Sequence, residues 1–271
     1  MKVFFLLIAL ALPAFADPGW TLTNSVGARF KSDKVQVRVA NLAGGCAASG
    51  LTPDDLVGLI GPAIRDFWNT VPTSRLELKD GGFLDTTDDD FTDGELCLHD
   101  GNCGGTPIPA VSDIVITCNT NATNFPGGSS LLALTLPTSL SGKDIRGAIV
   151  AINATNGSFA ALSREKQIAV LAHEIGHAIG LGHTGVQANL MYYTVVPQRA
   201  RLGQGDIDGL TWLYPVQLDM FGFGCLMGTV GAPGDGAGPP PPPNAWIGSL
   251  GLGLTLALLW GKRRRKLRPT P

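Results

Sequence analysis

Histidine is scarce in this chain: its 271 residues include four, at positions 99, 173, 177 and 183. A second histidine-rich metal site is excluded, because His99 alone stands outside the later cluster and reads as an exposed loop residue. An excess of one charge is also missing. The formal net charge is −2, and the acids fall in the middle of the chain, which argues against nucleic acid as a partner there. No internal repeat of solenoid period is visible, so a repeat architecture is excluded. The acids Asp85, Asp88, Asp89, Asp90, Asp93 and Glu95 fit no standard calcium-loop spacing. A solvated acidic loop is the expected reading, although such oxygens could ligate Ca2+.

What is present is concentrated between positions 173 and 191. The run from His173 to His183 reads H-E-I-G-H-A-I-G-L-G-H, and Met191 follows. His173 and His177 are four apart, which on a helix puts both imidazoles on one face about one turn apart. Gly180 can take φ > 0, leave the helix and bring His183 round as a third ligand. Three protein ligands leave one position open, the arrangement of a catalytic rather than a structural zinc. Glu174, beside the first ligand, can reach a water on the metal without ligating it. A bare H-E-x-x-H recurs by chance in many helices, whereas the longer pattern with a later Met is the metzincin signature.

The chain ends suggest a setting. Lys2, the apolar run 3–12 and Ala14-Phe15-Ala16 read as a signal peptide over 1–16, removed on export. Residues 17–218 then form one domain. Residues 219–244 are a Gly- and Pro-rich linker. Residues 245–260 are apolar and flanked by Trp246 and Trp260, as expected of a transmembrane helix, and 261–271 form a basic cytoplasmic tail. This layout resembles the sorting tails of bacterial envelope proteins. The expectation is an exported, extracytoplasmic protein, anchored in the cell envelope by its C-terminal helix or released after processing. Export also permits disulfides. Of five cysteines, Cys97 and Cys103 are the easiest local pair, Cys46 with Cys118 a second, and Cys225 the odd one; four cysteines alone allow three pairings.

Along the domain, Lys34–Ala40 alternates apolar and polar and predicts a strand. Thr52 is an N-cap with Pro53 at the first helical position, opening a helix to about Asn69 with Leu56, Leu59, Ile60, Ala63, Ile64 and Phe67 inside. Strands are predicted over 75–79, 113–118, 131–136 (ended by Pro137) and 146–153, with 81–112 irregular. Ser163 caps the long helix that carries His173 and His177, and a last helix spans about 205–214.

These residues together resemble the metzincin metalloproteases, and within them the matrixins. The gap from His183 to Met191 is short, Ala188-Asn-Leu-Met-Tyr192 looks like the matrixin Met-turn, and 202–210 with Tyr214 is similar to the start of the matrixin C-terminal helix. The resemblance implies an α/β (α+β) catalytic domain: a twisted mixed sheet with one antiparallel edge strand, two helices behind it, an active-site helix and a C-terminal helix. It implies Zn2+ held by His173, His177 and His183, Glu174 as general base, and Met191 as a packing floor. It also implies an edge strand, with Leu131, Leu132, Ala133 and Leu134, that binds protein or peptide substrate by strand addition. Asp206 and Asp208 would cap the last helix and tie it to the Met-turn.

Two departures stand out. Matrixins usually place Pro two residues and Tyr four residues after the Met, where this chain has Tyr193 and Val195. Astacins and serralysins place a zinc-contacting tyrosine at the first of these positions. Tyr193 is thus a candidate catalytic residue, with a plain pocket wall as the other reading. No Cys-switch prodomain is recognisable either, since 17–33 is short and Cys46 lacks its context. The function expected is a secreted or surface-anchored zinc endopeptidase. The rival is a surface binding module on the same scaffold, against which the intact Glu174 argues.

Overall fold

The computed structural model describes residues 19–40, 49–86, 110–127, 129–194 and 201–216, together with Cys46, Phe91, Leu96 and Leu98. Expectations about the signal peptide, the linker, the apolar segment 245–260 and the basic tail lie outside these residues, as do those about His99, Val195, Cys97, Cys103, Cys225 and most of the acidic loop. Among the described residues no helix is long and apolar enough to cross a membrane.

The sheet is laid down first by Arg29–Phe30 (β2) and Lys34–Ala40 (β3), after a short strand Thr21–Leu22 (β1) that joins a different ladder. Val35, Val37 and Val39 are buried at alternate positions of β3, as its period-two pattern requires. Three further strands, Glu77–Leu84 (β4), Ile114–Asn119 (β5) and Asp144–Asn153 (β7), complete a parallel array in the order β2-β7-β5-β3-β4. Every residue of β5 is buried, as expected of a strand covered on both faces. The remaining strand, Ala133–Ser141 (β6), runs antiparallel to β7 and, among the described residues, pairs with nothing else. The mixed sheet with an antiparallel edge strand is thus present.

Helix Pro53–Arg65 (α1) opens with a reciprocal cap. Thr52 Oγ1 accepts from Asp55 N–H at 3.2 Å, and Asp55 Oδ2 accepts from Thr52 N–H at 2.8 Å. Its inner face buries Leu56, Leu59 and Ile60 almost completely, each contributing about 1.5–3 kcal/mol of transfer free energy. The helix stops at Arg65 rather than near Asn69, and a single 3-10 turn, Trp68–Thr70, follows. The buried Trp68 in that turn donates its indole N–H to the Ala172 carbonyl at 2.8 Å.

Two strands differ from expectation. β4 starts later and runs on to Leu84, through Asp80-Gly81-Gly82. The register against β3 shifts between Val37 and Val39, and Gly82 takes φ +63°, so the glycines absorb a bulge instead of ending the strand. β6 begins at Ala133, not Leu131, and continues through Pro137. Leu131 and Leu132 form its lead-in, held by bonds from Asn153 Nδ2 and N–H at 2.7 and 2.9 Å.

The Asn153–Leu132 bond explains why Pro137 is tolerated. In an antiparallel ladder, opposite residues alternate between pairs that exchange hydrogen bonds and pairs that do not. With Leu132 bonded to Asn153, the register makes Leu134 and Leu136 the bonded residues and leaves Ala133, Thr135 and Pro137 facing outward. β7 agrees, because Ala148 and Ala154 send their N–H groups the other way, to Asp113 and Asn119. Pro137 lacks a donor only where the ladder asks for none.

Helix Arg164–Ala178 (α2) packs beside α1 in the main core, which also takes in Tyr214 and Leu213 from the end of helix Gln204–Leu213 (α3). A smaller cluster around Phe91, Leu96, Phe125, Val115 and Ile149 is separate from it. Asn119 and Asn124 hold the Leu96 carbonyl there at 3.0 and 2.7 Å. The expected Cys46–Cys118 disulfide is present.

Candidate metal centre

α2 carries the first two histidines on its buried side. Ser163 caps it in extended conformation, though without a side-chain bond to the helix backbone, and Glu165 lies in its first turn. The helix ends where the sequence allows it. Gly180 has φ +109°, and a Cβ there would stand 2.6 Å from the Ala28 carbonyl oxygen. Glycine is therefore needed twice over, for the left-handed turn and for the close approach. The chain reverses into Leu181–Gly182 (β8), which pairs with β1 and delivers His183 to the other two.

The three imidazoles converge. One ligand-capable nitrogen of each lies within 4.8 Å of the others, and Nε2 of His177 and Nε2 of His183 are 3.1 Å apart. Among the described residues no other group of histidine, cysteine or acid side chains converges in this way. His173 Nδ1 is 2.7 Å from the Leu190 carbonyl and His177 Nδ1 is 2.8 Å from that of Leu181. A carbonyl oxygen only accepts, so both Nδ1 atoms carry the proton and both Nε2 lone pairs are free for a metal. Burial, together with His173 and His183, pushes His177 down to about 3. Burial and then His173 lower His183 as well. The bonds at Nδ1 of His173 and His177 thus fix the tautomer that offers Nε2 to a metal. A set of three nitrogens with no protein carboxylate among them suits Zn2+ with a fourth position open.

The floor is tightly specified. Met191 is buried beneath α2, and a Cβ on Gly176 would meet its sulfur at 2.3 Å and Trp68 Cζ2 at 2.7 Å. The turn that carries Met191 is closed by Thr184 N–H to the Met191 carbonyl at 2.8 Å. Asp206 in α3 holds it from behind, accepting from Leu190, Met191 and Gly203 N–H at 2.5, 3.0 and 2.8 Å. Burial pushes the Asp206 carboxyl up, and those amides pull it back. Of the two aspartates, Asp206 makes the expected tie from α3 to the Met-turn, where Gly205 N–H also donates to Asn189 Oδ1 at 3.2 Å. Asp208 instead accepts from Gln204 on the exposed side of α3, one turn away, because it projects from another face of the helix.

Glu174 is buried beside the ligands, and its Oε2 accepts from the Thr135 hydroxyl at 2.5 Å. Burial raises its carboxyl above the ordinary range, opposed by His173 and by Thr135. A cleft of about 720 Å3 opens in front of it. One side of the cleft is Leu131–Thr135, and the other includes the three histidines, Tyr193 and Thr194. Tyr193 is 61% exposed, and its phenol oxygen accepts from the Tyr192 hydroxyl at 2.9 Å. All the sequence-predicted site residues thus gather at one cleft, except Met191, which lies beneath it.

Sequence reasoning missed two contributors. Thr135 carries no motif, and its partner is 39 positions away. The N-terminal strand was also unmarked, yet Thr21 Oγ1 donates to the His183 carbonyl at 2.5 Å and Thr23 Oγ1 to that of Leu181 at 2.7 Å. A Cβ on Gly182 would strike Leu22 O at 2.6 Å, so this glycine was the available signal that another backbone passes close by.

Comparison with known proteins points the same way. The family profile described as Matrixin matches residues 119–215, from the end of β5 through α3. Metalloendoproteinase 2-MMP of Arabidopsis thaliana is 40% identical over 47 residues, which is 17% of this chain and 12% of that protein. Metalloendoproteinase 1 of Glycine max is 43% identical over 49 residues, 17% of this chain and 16% of that protein. Matrix metalloproteinase-27 of Tupaia belangeri is 46% identical over 48 residues, 17% of this chain and 9% of that protein. The chain thus matches well under two thirds of the length of each of these relatives. The profile match and the short stretches shared with these relatives make this part of the chain, with its histidine triad, similar to the matrixin metalloproteases, and the mixed α/β fold agrees with a metzincin catalytic domain.

Proposed function

We propose that this chain is a zinc-dependent endopeptidase that hydrolyses peptide bonds of extracytoplasmic proteins. The observation that carries the reading is the convergence of three imidazoles beside a buried carboxylate, at a cleft edged by a strand that, among the described residues, is paired on one side only. His173, His177 and His183 would hold a zinc ion. Zn2+ bound there would act as a Lewis acid toward the scissile carbonyl and lower the pKa of water in its open position. Glu174 takes a proton from the attacking water as the oxygen bonds to the carbonyl carbon. It returns that proton to the amide nitrogen as the C–N bond breaks. Leu131, Leu132, Ala133 and Leu134 lead the substrate along the cleft, where an extended peptide adds antiparallel to β6. Tyr193 walls the open side; Tyr193→Phe separates ring from hydroxyl, since a wall alone predicts unchanged kcat.

The setting proposed with it is export through residues 1–16, then anchorage through 245–260 or release after processing, on the residue pattern of those two segments. The decisive test is Glu174→Ala in the full zinc-loaded chain, with a peptide library read by mass spectrometry. Zinc content should be retained while kcat falls by about 10²–10⁴-fold, the range for loss of a general acid–base group. Cleavage at the original rate, or cleavage that survives a chelator, would overturn the reading.

A further inference from the structure

Glu174 has two carboxylate oxygens, and one is already taken. Oε2 accepts from Thr135 Oγ1 at 2.5 Å, across 39 positions of sequence. The pleat explains how the hydroxyl gets there. Leu134 and Leu136 pack against the smaller apolar cluster, whereas Ala133 belongs to the main core under α2. Side chains alternate along a strand, so Thr135 shares the face of Ala133 and points at α2. A β-branched residue suits the strand, but valine would satisfy that demand equally well. Only the hydroxyl supplies a donor to a buried carboxylate.

The backbone of the same residue looks the other way. The β6–β7 register leaves the N–H and C=O of Thr135 on the open edge, because Val150 opposite it does not exchange bonds with it. Thr135 therefore stands between the strand a substrate would join and the group that would handle the proton.

We propose that Thr135 is a positioning residue for Glu174. Its hydroxyl fixes Oε2, which leaves Oε1 as the oxygen that exchanges the proton. Its main chain ties that orientation to the docking of an extended peptide on β6. This deepens the endopeptidase reading and rests on it for the catalytic part alone.

The test compares Thr135→Val and Thr135→Ser in the full chain. With zinc loaded, Thr135→Val should lower kcat by about 10–100-fold, the usual cost of losing an outer-shell partner, while KM stays close to the original. Thr135→Ser keeps the donor and should restore most of the rate. The second readout is the 13C signal of the Glu174 carboxyl in metal-free protein, which Thr135→Val should move and Thr135→Ser should leave in place. An unchanged kcat in Thr135→Val, or equal impairment in both variants, overturns the proposal. If the zinc-loaded chain cleaves no peptide at all, the endopeptidase reading fails, and the carboxyl signal still decides the Thr135–Glu174 link. A signal unmoved by Thr135→Val overturns that link.

Discussion

The two walls of the cleft are built in opposite ways. On the metal side the backbone groups near the ligands are held by side chains from several elements. His173 and His177 are fixed through Leu190 and Leu181 carbonyls, the His183 and Leu181 carbonyls are held by Thr21 and Thr23, and the Met-turn is held by Asp206. On the other side β6 is, among the described residues, bonded along one edge only. A metal site needs three atoms fixed to fractions of an ångström, because the ion tolerates little error. A substrate wall needs unsatisfied backbone groups, and it can have them only where a strand is left unpaired. The molecule therefore concentrates its constraints on one wall and leaves bonding capacity on the other.

The strongest way to break this contrast is to remove the ion. Zinc present at a thousand times its Kd should add about 4 kcal/mol to stability, since it binds the folded state alone. Chelation should remove that increment, and His183→Ala should abolish the zinc dependence of Tm. Amide exchange should quicken around 173–191 and stay nearly constant along β6. Equal loosening of both walls would show that they are not separately held.

The same contrast explains what the sequence disclosed. Ligands four and six positions apart in one helix and its exit turn leave a local signature, and the alternation in β3 is local too. Cys46–Cys118 was legible as a pairing, though only among alternatives. In the sequence Gly81 and Gly82 look like the start of an irregular stretch, whereas their role as a bulge depends on Arg38 and Val37 in another strand. Pro137 looked like a terminator because the direction of its missing N–H depends on pairing with β7. Thr135, Thr21 and Thr23 act across 39, 162 and 158 positions, distances at which no pattern survives in a single chain. The chemistry was visible because it is built locally, and its supports were hidden because they are tertiary.

A smaller effect should come from the floor of the metal wall. Alanine is favoured over glycine inside a helix by about 1 kcal/mol. At position 176 that gain meets Met191 and Trp68, with a Cβ only 2.3 Å from sulfur and 2.7 Å from the indole. Overpacking of this kind costs about 1–3 kcal/mol, so Gly176→Ala should give a net loss in urea unfolding despite the better helix former. Gly185→Ala is the control. A Cβ there meets nothing within 4 Å, and the change should stay within about 0.5 kcal/mol. If Gly176→Ala proves neutral, Met191 is free to yield and the floor is softer than the packing implies.

The smallest effect tests the open wall. Pro137 faces outward opposite Ala148, whose own N–H goes to Asp113. Pro137→Ala restores a donor that solvent can satisfy, so no ladder bond changes. The cost should be at most about 1 kcal/mol, through the entropy that the ring withholds from the unfolded chain. Leu136→Pro, one residue earlier, removes a donor aimed at β7 and should cost distinctly more. A gain in stability from Pro137→Ala, with little loss from Leu136→Pro, would reverse the assigned parity of β6. Thr135 would then bond β7 through its backbone, and the link between substrate docking and the Glu174 carboxylate would lose its main-chain half. The predicted order of these two variants is thus a direct reading of which residues the open edge offers.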